Sequence, residues 1–214
     1  MINETIKHDK IGEAILKSAR IEFTQFGYRA ASVRRICKEA GVTTGALYKR
    51  YKGKEDLFAE LVRPTLEQLE LLELQRREHY YNILKEDKLF RLQSYNIEDM
   101  QTLMAILYEY KQDIQLILFK SEGSLYTNFK NNIASYDIDE TYDYLLKVHE
   151  RKKISYLPDK RYLEGALRAY YNAFFTPLEQ DWSKEMAIEY CQYLARLFDW
   201  SSFFGLIDKE EKDE

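Results

Sequence analysis

ASVRRICKEAGVTTGALYKRYKGKEDLF, residues 31–58, holds two short helix patterns, a tight turn between them and the opening of a third helix. Ser32 is a residue type that caps helix N-termini, and Val33, Ile36, Cys37 and Ala40 then recur on one helical face. Gly41 supplies the positive φ at which that helix ends. Thr43 is placed to cap the second helix, whose inward residues Leu47 and Tyr51 lie four apart. Two helices joined by a turn of roughly three to four residues containing Gly form a helix-turn-helix.

The outward face of the second helix offers Thr44, Gly45, Ala46, Tyr48, Lys49 and Arg50. Small residues at its start let a helix enter the DNA major groove closely, where its first turn meets base edges. Thr44, Gly45, Ala46, Lys49 and Arg50 are assigned to bases. Ser32, Thr43 with its neighbouring backbone N–H groups, and Tyr48 are assigned to phosphates. At ~1.5 Å per residue, Thr44 to Tyr51 spans roughly 12 Å, which matches the ~12 Å groove. Lys54 opens the third helix, where a cation opposes the helix dipole unless an anion binds there. A DNA phosphate would supply that anion; the alternative is a lysine that swings into solvent.

Residues Ile15 to Phe58 resemble the DNA-binding domain of the tetracycline-repressor-like (TetR) family of bacterial transcription regulators. The likeness is carried by AGVTTGALYKRYKGKEDLF at 40–58 and IEFTQFGYRAASVRRI at 21–36. Gly45, Ala46, Leu47, Tyr48, Tyr51, Lys54, Glu55 and Leu57 stand where the family pattern has its fixed types. Tyr51 replaces the usual Phe, Arg50 the usual Tyr or His, Cys37 an Ala, and Gly53 a Ser or Asn. These departures bear on which operator is read.

Length and charge agree with a regulator. A chain of 214 residues buries one good core, or a small domain on a larger one. No stretch is apolar enough to span a membrane, and MINETIKHDK is too polar for a signal peptide, so a cytoplasmic location is expected. Cys37 and Cys191 lie in separate apolar patterns and read as reduced, structural thiols. The net charge of −4 is unevenly spread. Residues 28–54 carry eight basic side chains (Arg29, Arg34, Arg35, Lys38, Lys49, Arg50, Lys52, Lys54) against Glu39 alone, an electrostatic footprint for phosphate.

The rest of the chain predicts an all-α fold, with a helix-turn-helix domain over residues 1–53, a larger helical effector-binding and dimerisation domain over 54–207 and a charged tail at 208–214. Residues 1–9 are expected to be loose. Helix one is expected from about Lys10 to Phe26, with Ile11, Ile15, Ala19, Phe23 and Phe26 inward and Lys17, Arg20, Glu22 and Gln25 outward. Pro64 is expected to kink or interrupt the fourth helix. Further helices are expected at roughly 97–110, 111–121, 124–135, 138–153, 159–180 and 183–205.

The last two of these helices (159–205) have nearly two apolar faces each, so one can pack on the chain's own core and the other on a second subunit. Burial within a monomer is the alternative. The resemblance implies the same homodimer, and implies a small-molecule effector bound in the second domain. Fifteen of the 18 tyrosines fall there, and Met104, Tyr108, Phe119, Tyr126, Tyr170 and Phe174 are the candidate lining residues. They serve equally as core and interface. His8, His79 and His149 are isolated, and no metal-ligand spacing, phosphate loop or nucleophile motif occurs, so no cofactor, metal or catalytic residue is assigned. The expected function is a dimeric regulator, a repressor released from a pseudo-palindromic double-stranded operator by its effector. The alternative is an all-helical protein-interaction module.

Overall fold

The computed structural model describes residues 10–85, 92–154 and 156–205. The expected loose start at 1–9 and the charged tail at 208–214 lie outside them. The elements among the described residues are all helices: α1 (Lys10–Ala30), α2 (Val33–Glu39), α3 (Thr44–Tyr48), α4 (Lys54–Lys85), α5 (Leu92–Glu109), α6 (Lys111–Phe119), α7 (Phe129–Glu150), α8 (Lys160–Phe174), α9 (Thr176–Glu179), α10 (Lys184–Leu197) and α11 (Trp200–Phe204). No helix among the described residues is long and apolar enough to cross a membrane.

The chain forms two compact units. The first takes the described residues up to Gln68 and adds Gln112–Thr127 from much later in the sequence. Ile15, Ala19, Phe23, Ile36, Leu47, Leu57 and Phe58 are all fully buried in it. Phe58 meets the rings of Phe23 at 4.9 Å, Tyr28 at 5.3 Å and Tyr126 at 5.8 Å. The late segment is tied in by polar bonds as well. Arg20 pairs with Asp113, Thr65 Oγ1 donates to Asp113 at 2.7 Å, and the Tyr28 N–H donates to the Lys120 carbonyl at 2.7 Å.

The second unit comprises Leu69–Lys111 and the described residues from Asn128 onward. In it α5 packs on α10 and α7 on α8. Ile138, Leu145, Val148, Ile154, Leu163 and Leu167 form one core cluster, with Tyr142, Trp200 and Phe203 against it.

Several helix limits differ from the sequence expectation. Helix α4 runs through Pro64; Pro64 is exposed, so the Glu60 carbonyl deprived of its N–H can turn to water. Helix α7 is unbroken across Asp137 because no residue there opposes helix, while 125–128 are turns. Gly27, at φ 71°, ψ 164°, breaks α1 where the sequence placed its end, and one further turn follows. The last expected helix is divided: Phe198 leaves helical geometry, and Asp199 accepts from the Ser202 N–H at 3.2 Å to start α11. Pro177 sits at the start of the short α9.

Candidate nucleic-acid interface

Each helix of the candidate interface is set by its first residue. Ser32 Oγ accepts from the Arg35 N–H at 3.5 Å, and Thr43 Oγ1 from the Ala46 N–H at 3.2 Å. Both are N-caps in extended backbone and satisfy donors that the helix leaves orphaned. Gly41 at φ +68° makes the turn between them. Its Cβ position is open on every side, so backbone conformation, not space, requires glycine there. Leu47 at 0% and Tyr51 at 9% exposure anchor the second helix inward.

Its other side is bare. Thr43, Thr44, Gly45, Tyr48 and Lys49 are exposed and Ala46 is half-buried. A Cβ on Gly45 would meet nothing nearer than Thr43 Oγ1 at 3.8 Å. Arg34, Lys38 and Lys52 are exposed around it. Arg50, assigned to a base, is half-buried and its Nη1 donates to the Ala46 carbonyl at 3.1 Å, folded along its own helix.

Lys54 is held inside the domain. Its Nζ donates to the carbonyls of Arg29 at 3.2 Å and Ala31 at 3.3 Å and lies 4.5 Å from the centre of the Tyr28 ring. Cation and carbonyls meet at the end of α1, where carbonyl oxygens lack helical partners. Two of the three ammonium N–H bonds are thereby occupied.

Three carboxylates organise the corner; the sequence pattern placed Glu55 at the start of α4 but gave none of the three these partners. Glu22, expected outward, is 6% exposed. Its Oε1 accepts from the Ser32 N–H at 2.7 Å and from Arg35 Nε at 2.8 Å, which fixes the start of α2. The available signal was its register, seven residues after Ile15 and three after Ala19. Ile11 and Phe26, expected inward, are 42% and 43% exposed, and Phe26 carries the Arg35 guanidinium on its face at 4.4 Å. Glu55 accepts from the Tyr28 hydroxyl at 2.7 Å and from the Leu125 N–H at 3.1 Å. Burial first, then the bond to Glu55 and its charge, push the Tyr28 hydroxyl up to about 12. The third is Asp113, already described.

The candidate effector residues fall into both units. Met104, Tyr108, Tyr170 and Phe174 belong to the second, Phe119 and Tyr126 to the first. Tyr170 stacks on Phe174 at 5.6 Å. The Tyr108 hydroxyl donates to the Trp182 carbonyl at 3.1 Å, and burial, then Asp181 and Cys191, push it up to about 12. Met104 is fully buried. A polar cluster beside these rings had no sequence signature: Arg76 bonds Glu73 at 3.0 Å and Asp137 at 3.3 Å, and the Tyr171 hydroxyl donates to Asp137 at 2.9 Å.

The family model for tetR-family bacterial regulatory proteins matches residues 15–61, which are α1 to the first turns of α4. The HTH-type transcriptional regulator YhgD of Bacillus subtilis is 24% identical over 198 residues, 92% of this chain and 87% of that protein. The HTH-type transcriptional regulator AcrR of Shigella flexneri is 26% identical over 196 residues, 86% of this chain and 87% of its own. Two solved structures from Pseudomonas aeruginosa share the fold. NalD, described as the secondary repressor of the MexAB-OprM multidrug efflux pump, superposes with TM-score 0.59 at 21% identity, over 94% of this chain and 98% of its own. MexZ, described as a key repressor responsible for antibiotic resistance, superposes with TM-score 0.61 at 15% identity, over 94% and 100%.

Proposed function

We propose that this chain, a member of the TetR family of bacterial transcription regulators, is a dimeric repressor that leaves its operator when a small molecule binds its second unit. The observation that carries DNA reading is the contrast across α3: Leu47 and Tyr51 are sealed inward while Thr44, Gly45, Tyr48 and Lys49 stand bare and capped for approach. Thr44, Gly45, Ala46 and Lys49 then face bases, and Ser32, Thr43 and Tyr48 hold phosphates. Arg50 reaches a base only by leaving the Ala46 carbonyl. Lys54 offers a phosphate its remaining N–H bond while holding the end of α1.

Dimerisation is supported by faces that a single chain leaves uncovered. On α10 Met186 is 55%, Tyr193 58% and Leu197 74% exposed, and on α8 Tyr162 is 69% exposed beside exposed Gly165 and Ala169. Each set recurs at helical spacing, and the small residues permit close approach of a second copy. Two heads then read two half-sites. A ligand releases the operator only as far as it prefers a conformation in which the heads no longer match those sites.

The test is a titration of the protein against DNA from upstream of its own gene, at two salt concentrations, with unrelated DNA as competitor. A specific operator is expected to win by roughly 10³-fold or more, with two chains per site. Loss on both DNAs alike as salt rises would break that expectation and favour a protein-interaction module. Lys54→Ala sharpens the result. A phosphate contact lowers the salt slope by about 1; a lysine that only holds the α1 end lowers affinity and leaves the slope intact.

A further inference from the structure

We propose that Asp99 anchors a binding site for an organic cation bearing N–H donors, whose apolar body lies against the Tyr170 ring; this rests on the effector function proposed above. Asp99 lies on α5, and its Oδ2 is buried from solvent without a hydrogen-bond partner. In the first unit the carboxylates of Glu22, Glu55 and Asp113 each receive donors. A buried acceptor left unmade costs free energy in the ligand-free chain, and a donor supplied from outside recovers it.

The surroundings point to a positive charge. The Tyr170 hydroxyl, held neutral above its ordinary range chiefly by burial, also feels Arg76, Asp137, Cys191 and Asp99. Arg76 is the one cation in that set, and Glu73 and Asp137 already pair with it. Asp99 is not among the partners that Arg76 is shown to hold, and a ligand that brings a cation with N–H donors would supply its open oxygen.

The shape points to a flat apolar body. Tyr170 meets Phe198 at 5.5 Å and Trp200 at 5.8 Å edge-on and stacks on Phe174. Tyr170 and Arg76 both belong to the second unit. Both keep accessible surface, 32% for the Arg76 side chain. On that surface a ligand ring packs on rings and a cation gains from their faces.

The experiment is calorimetric titration of the full chain with three isosteric probes: 2-naphthamidine, neutral 2-naphthamide and anionic 2-naphthoate. The amidine is expected to bind at one per chain, with the other two at least tenfold weaker. Asp99→Asn is expected to weaken the amidine at least tenfold, to narrow its lead over the amide, and to melt no lower than the wild type. Naphthoate binding as tightly as the amidine, an unchanged amidine affinity in the variant, or no binding of any probe overturns the site. The operator complex titrated with the amidine separates the two claims. Release that Asp99→Asn abolishes supports both; amidine binding without release upholds the site and removes its link to DNA; operator binding by a chain that takes no probe overturns the site alone.

Discussion

The two units treat buried charge in opposite ways. In the first, every carboxylate at the corner is used: Glu22 holds Ser32 and Arg35, Glu55 holds Tyr28 and Leu125, and Asp113 holds Arg20 and Thr65. In the second, Asp137 is filled by Arg76 and Tyr171, and Asp99 keeps an oxygen with no donor. Saturated polar groups hold one geometry, and an unsaturated one leaves free energy for a visitor to release. The carboxylates of the first unit are therefore saturated where DNA reading is proposed, and the second unit keeps an open acceptor where it is proposed to respond.

The largest expected effect tests whether the first unit has a single core. Phe58→Ala removes a fully buried ring that touches three others. It should cost about 3–5 kcal/mol, read by urea unfolding, together with loss of DNA binding. A cost under about 1 kcal/mol would show that the cluster does not hold the unit. The next contrast sets the units against each other directly. Glu22→Gln takes charge from a filled carboxylate and should destabilise by about 1–3 kcal/mol, while Asp99→Asn should not lower the melting temperature. Equal losses in the two variants would erase the distinction.

The smallest effect is electrostatic and lies at the start of α8. Asp159 accepts from the Arg161 N–H at 2.8 Å and from its guanidinium, and these bonds lower its carboxyl to about 2. The unfolded value is about 3.9. The folded value is the lower one, so the contribution is present above about pH 4 and is lost as pH falls towards 2. The melting-temperature gap between wild type and Asp159→Asn should close across that window. A gap that stays constant would mean that the side chain acts only as a neutral cap.

Much of the head was legible because its rules are local. Ser32, Gly41 and Thr43 set caps and a turn within a few residues, and Leu47 and Tyr51 face inward at helical spacing. Glu22 was misread because a carboxylate on a helix is ordinarily solvated, and its donors lie ten and thirteen residues onward. Lys54 was placed correctly at a helix start, but its two carbonyls come from the end of α1, a tertiary arrangement that no spacing encodes. Asp99 was silent for a related reason. A missing partner is a property of the packed interior, and sequence lists only the residue. The α10–α11 break was hidden because Phe198 continues an apolar stripe across it.

The inclusion of Gln112–Thr127 in the first unit sets an order of birth. When the chain leaves the ribosome, Gln68 is followed by about 60 residues before Thr127 appears, roughly 3–12 s at usual synthesis rates. During that interval the head has its helix-turn-helix but lacks Asp113 for Arg20, the Lys120 carbonyl for Tyr28 and the Leu125 N–H for Glu55. A nascent or prematurely ended chain therefore carries a head that lacks these three partners.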